Sequence, residues 1–119
     1  MRLQIARFWL LALMVVTVAV PLVEIGAVPV MAQEASREER KAEADRLLQL
    51  GAQQHSTNQF QEAIRSWQEA LEIYTEVDNI NGEIASLRNL GIAHQSINQH
   101  QQAIIFYQRY LEASREFGN

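Results

Sequence analysis

The sequence predicts an all-α fold: two tandem antiparallel helix hairpins of one repeated type, an α-solenoid in miniature, behind an apolar N-terminal leader helix. Three observations predict it. Apolar residues recur at three- and four-residue spacing after the leader. The pair Leu50-Gly51 returns as Leu90-Gly91, and sliding residues 44–79 onto 84–119 gives 14 identities in 36 positions. No segment alternates with period two, so no strand is expected.

The chain has 119 residues, 48% of them apolar, and the apolar ones are concentrated in residues 1–32. Arg2 and Arg7 precede an uncharged run from Phe8 to Val20, broken only by Thr17. A mixed stretch then ends Val30-Met31-Ala32. Positive start, apolar middle and small residues at the end make a secretory signal peptide, with cleavage expected before Gln33. The alternative is an uncleaved signal anchor. A spanning helix needs about 20 apolar residues, and Glu24, Pro21 and Pro29 interrupt this one. Both readings put residues 33–119 outside the cytoplasm, periplasmic or secreted in the first case and membrane-anchored in the second.

Residues 33–43 are expected to be a charged helical extension that caps the array, with Ser36 and Glu39 at capping-box spacing. The first repeat is expected over residues 44–83. Its apolar stripe is Leu47, Leu50 and Gln54, then Phe60, Ala63, Ile64, Trp67, Ala70, Leu71 and Tyr74. The second, over residues 84–119 and incomplete at its end, repeats this as Leu87, Leu90 and His94, then Ala103, Ile104, Tyr107, Tyr110 and Leu111. Asn58 and Asn98 are expected to stop the first helix of each hairpin in the left-handed conformation, which Asn tolerates. Asp78 to Gly82 should join the repeats. On this register Gly51 faces Ala63 and Gly91 faces Ala103, so the helix backbones can approach closely.

The pattern Leu47, Leu50-Gly51, Ala63, Trp67 and Ala70, returning as Leu87, Leu90-Gly91, Ala103 and Tyr107, resembles the tetratricopeptide repeat. The forty-residue period is similar to its longer variant, as is the joint EVDNINGEIASLRNLGIAH. The resemblance covers about residues 44–119. The sequence departs from the family's pattern at Gln54 and His94, where Tyr is frequent, and at Tyr110, where a small residue is expected.

Composition and charge exclude several functions. The chain has no cysteine, which removes disulfides, thiolate metal sites and a cysteine nucleophile. Net charge is −4, and −5 without the leader's Arg2, Arg7 and Glu24, so the basic footprint of a nucleic-acid binder is missing. The histidines His55, His94 and His100 show no metal-site spacing. No Gly-rich phosphate loop and no nucleophile elbow occurs. No catalytic residue, cofactor or metal is expected.

A binding role is expected instead. Stacked hairpins present the first helix of each on a concave face, here Gln49, Ala52, His55, Arg88, Asn89, Ile92 and Gln95. Amides donate and accept together, which suits an extended peptide, and Arg88 suits a carboxylate. The resemblance implies the same: LRNLG is similar to the Asn-bearing segment with which long-period relatives hold peptide backbone. Relatives that grip a C-terminal carboxylate use Asn just after Leu-Gly. Ala52 and Ile92 stand there, which speaks against that mode. The last helix carries more apolar residues than one hairpin can bury. Ile105, Phe106, Tyr110 and Phe117 are therefore expected to pack on a second copy of the chain, on a further repeat or on another protein. The expected activity is thus a non-catalytic protein–protein interaction module binding a peptide or protein partner. The alternatives are a self-association unit, or the N-terminal piece of a larger signalling or enzymatic protein, since such arrays often precede those domains in similar bacterial proteins.

Overall fold

A computed structural model describes residues 28–117, and its four elements are all helices. They are α1 (Val28–Ser56), α2 (Phe60–Glu76), α3 (Ile80–Ser96) and α4 (His100–Phe117). Residues 1–27 of the expected leader lie outside the described residues, as do Gly118 and Asn119. The chain divides into two units at Ala35, and the hairpins belong to the second, Ser36–Asn119. None of the helices among the described residues is long and apolar enough to cross a membrane.

Each helix has a local cause. Pro29 sits in the first turn of α1, where its missing N–H is not needed. The stretch from Ala32 to Leu50 is rich in Ala, Glu, Arg, Leu and Gln and holds no Gly or Pro, so the helix runs unbroken. This corrects one expectation: Ser36 lies inside α1, not at its start, so the Ser36–Glu39 spacing is not a cap.

Three left-handed residues punctuate the fold: Asn58 (φ 62°), Asp78 (φ 55°) and Asn98 (φ 60°). Around each, the helix end closes in the same way. Gln59 N–H donates to Gln54 C=O (2.8 Å) and Asn58 N–H to His55 C=O (3.1 Å). Asn79 to Tyr74 and Gln99 to His94 repeat the longer-range bond at 2.8 Å each. These are Schellman closures, which use the last carbonyls of one helix to aim the next. The two asparagines match the expectation from sequence, and Asp78 adds a third such position. The joint is also shorter than expected, because Ile80, Asn81 and Gly82 form the first turn of α3. Asn79 explains this: its Oδ1 accepts the Gly82 N–H (2.8 Å) and caps α3 where a longer linker was expected.

Two apolar clusters hold the helices together. One joins Ala63, Ile64 and Trp67 of α2 to Leu90 and Ala93 of α3, with Leu48, Leu71, Ile97 and Phe106 packed against it. The other joins Ala44 of α1 to Ala70, Ile73 and Tyr74 of α2. Aromatic rings seat on glycines. A Cβ on Gly51 would collide with the Trp67 ring, one on Gly82 with Tyr74, and one on Gly91 would lie 2.6 Å from Tyr107 Cε1. The atoms nearest to each glycine's Cβ position are therefore those of the rings. Trp67 and Tyr107 lie one helical turn beyond Ala63 and Ala103 and need more room than a methyl group does. Trp67 also donates its Nε1–H to Leu48 C=O (3.0 Å).

The stripe of α4 departs from expectation. Ile104 and Leu111 were expected in it, yet they are 54% and 47% exposed. In α2 the equivalent Ile64 is 6% exposed. The difference is positional: α3 covers the outer face of α2, whereas α4 packs on α3 and among the described residues no further helix covers its outer face.

Candidate functional site

The α1–α3 layer holds all seven residues expected to face a ligand. One side-chain link spans it, His55 Nε2 to Ser96 Oγ at 3.1 Å, which joins the end of α1 to the end of α3. Ser96 donates its own hydroxyl to Ile92 C=O (3.0 Å), so its oxygen receives the His55 N–H. The His55 ring is held further by Phe60 (centroids 5.1 Å apart, edge-on) and Trp67 (5.7 Å). His55 therefore bridges the two hairpins. Gln95 is committed as well, accepting the Tyr107 hydroxyl at 2.9 Å. Ile92 is half-buried.

The residues left over make the candidate surface. Gln49, Ala52 and Arg88 are exposed and Asn89 is half-buried. Arg88 has no ion-pair partner among the described residues. Amide and guanidinium donors on two adjacent helices can hydrogen-bond an extended main chain or a carboxylate. They can do no acid–base or nucleophilic chemistry. Among the described residues no group of three or more His, Asp or Glu side chains is placed to hold a metal ion.

The opposite layer holds a feature that sequence reasoning missed. An open groove of about 760 Å³ runs between α2 and α4, lined by Gln68, Leu71, Glu72, Thr75, Glu76, Phe106 and Arg109. Phe106 was expected to pack on a second copy, a further repeat or another protein. Within this chain it is half-buried, its ring stacked on His94 (5.2 Å, planes 10° apart) with the Arg109 guanidinium 5.8 Å from its centroid. Forty residues earlier the same two positions are Gln54 and Ser66, joined by a 2.7 Å hydrogen bond. An aromatic pair thus replaces a polar pair, which is the physical account of His94 and Phe106. Tyr110 is likewise half-buried, while Ile105 and Phe117 are exposed at 49% and 55%.

Electrostatic links fasten the charged part of α1 to the end of α2. Arg37 pairs with Asp78 (2.8 Å) and Arg40 with Glu76 (2.7 Å). Asp45 accepts the Tyr74 hydroxyl (2.5 Å) and pairs with Lys41 (2.9 Å). The Tyr74 bond, and after it the Lys41 bond, lower the Asp45 pKa below the ordinary carboxylate value. Burial, then the neighbouring carboxylate, raises that of Tyr74. A lowered carboxylate pKa stabilises the fold above the unfolded value of about 4 and loses that contribution as pH falls through the folded value. The stability gap between wild type and Asp45→Asn should therefore be constant at neutral pH and shrink below about pH 4. Melting temperatures followed from pH 7 to pH 2.5 check this, and a gap that does not narrow contradicts it.

A duplicated glycine-seated helix hairpin with left-handed closures defines a helical repeat array. The tetratricopeptide repeat family model matches residues 40–116. The chain belongs to the tetratricopeptide repeat family, whose repeats generally mediate protein–protein interaction and typically serve as non-catalytic scaffolds. Comparison with curated proteins and with solved structures finds no match.

Proposed function

We propose that this protein is an exported, non-catalytic adaptor that holds a peptide or protein segment on its α1–α3 layer. The observation that carries this reading is the uncommitted polar set of Gln49, Arg88 and Asn89 on two helices that the His55–Ser96 bond joins. Export rests on the leader pattern: two arginines, an uncharged run and Val30-Met31-Ala32 before Gln33.

Cross-linking and capture from an envelope fraction test the binding face. Arg88→Glu combined with Asn89→Ala should abolish the capture seen with wild type, because it reverses one charge and removes one amide. Equal capture by the double variant would take the α1–α3 layer out of the mechanism. Intact mass of the exported protein tests the leader: a chain starting at Gln33 is expected, and a Met1-containing chain in the membrane fraction would favour the anchor.

A further inference from the structure

Both α2 and α4 pack on α3, and the open groove of about 760 Å³ lies between them. Its size falls within the range of about 300–1,000 Å³ usual for ligand-binding clefts. Its floor is apolar and continuous with the core: Leu71 and Phe106, both half-buried, pack against the cluster of Ala63, Trp67 and Leu90. Its walls differ in charge. On the α2 wall stand Glu72 and Glu76, both exposed. Arg40 pairs with Glu76, whereas Glu72 has no ion-pair partner among the described residues. On the α4 wall stands Arg109, its guanidinium over the Phe106 ring. Glu72 also lies one turn from both Glu69 and Glu76, and like charges at that spacing repel along a helix. The cation of α2 itself, Arg65, lies 3.6 Å from Glu62 and not beside Glu72.

We infer that this groove docks a cationic segment of a partner protein: a stretch of chain with an apolar side chain seated on Leu71 and Phe106 and a lysine or arginine paired with Glu72. Arg109, on the facing wall, donates to the main chain of that segment. This goes beyond the adaptor reading and uses the opposite layer. Charge complementarity selects the occupant. An acidic segment would meet two carboxylates and gain one cation in return. A wholly apolar segment would cover the Glu72 carboxylate and leave it desolvated without a partner. A cationic and apolar segment answers both the wall and the floor. A helix continuing the repeat beyond α4 would leave the groove open. It would take on α4 the place that α3 takes on α2, where Ile64 and Leu90 share one cluster, and so would lie against Ile104. Glu69, forty residues before Arg109, stays exposed with α3 packed on α2.

Fluorescence anisotropy of a short labelled peptide alternating lysine and leucine, titrated with the full chain, tests the proposal. This peptide should bind at least about tenfold more tightly than the same peptide with glutamate for lysine or with serine for leucine. Glu72→Lys should weaken binding by about tenfold or more, and added salt should narrow that difference. Glu112→Lys makes the same charge change at the same place in the second hairpin, outside the groove, and should alter binding by less than about threefold. Both glutamates are exposed, so helix content by circular dichroism should be unchanged in either variant. In nuclear magnetic resonance spectra the peptide should move the Leu71 methyl and Phe106 ring signals and leave the Leu111 methyls in place. Equal binding of the lysine and glutamate peptides, equal losses from Glu72→Lys and Glu112→Lys, or shifts at Leu111 without shifts at Leu71 would overturn it. Arg88→Glu with Asn89→Ala should leave this binding intact, so failure here is distinguishable from failure of the adaptor reading.

Discussion

Leu90→Ala is expected to destabilise the protein by about 2–5 kcal/mol, and Leu50→Ala by less than about 1 kcal/mol. The two leucines hold the same place in the repeat, so chemistry and helix position cancel in the comparison. Burial does not cancel: Leu90 is 0% exposed and Leu50 is 42% exposed. Leu90 fills the space among Ala63, Ile64, Trp67 and Ala93, where truncation removes contacts and leaves a cavity. Two small hairpins cannot spare that much, because domains of this size hold only about 5–10 kcal/mol in total. Each kcal/mol moves the midpoint of such a domain by roughly 4–8 °C. Leu90→Ala should therefore lower the melting temperature by at least about 8 °C, followed through Trp67 fluorescence or circular dichroism. Equal losses at both positions would mean that the hairpins do not stack through α2 and α3.

Tyr74→Ala should cost about 3–5 kcal/mol, the range for removing a buried aromatic side chain. The ring is 2% exposed, seats on Gly82 and ends in the hydrogen bond to Asp45. It therefore touches α1, α2 and α3 at one point. Tyr74→Phe keeps the ring and loses only the hydroxyl, for about 1 kcal/mol, since half-exposed Asp45 can turn to water. Gly82→Ala in the wild-type background should be destabilising by about 1–3 kcal/mol, because its Cβ falls within the ring. With Tyr74→Ala already present, the same Gly82→Ala change should cost far less, the coupling expected of residues in direct contact. Urea denaturation of the four chains measures this cycle, and strict additivity would contradict the seat.

Once Leu90 and Tyr74 are placed, the division between sequence and structure becomes physical. Helices, their number and their duplication are local matters. They follow from the i, i+3, i+4 pattern and from Leu50-Gly51 recurring as Leu90-Gly91. Asn58 and Asn98 are legible because few residues accept a left-handed turn, whereas Asp78 is not, because an aspartate more often serves as a cap or a surface charge. The binding layer is legible as a set of positions, since place in the repeat assigns a side. Which members are free is not. His55 and Gln95 look like ligand-binding polar residues, yet their partners are Ser96 and Tyr107.

By itself, the sequence determined an all-α duplicated hairpin, the period of its repeat and the small residues at its crossings. Tertiary structure alone decided that the rings of Trp67, Tyr74 and Tyr107 seat on the glycines, that Phe106 stacks on His94, and that Ile104 and Leu111 stand open while Ile64 is covered. The reason is that periodicity records which face of a helix is apolar. Only packing records whether a neighbour is present to cover it.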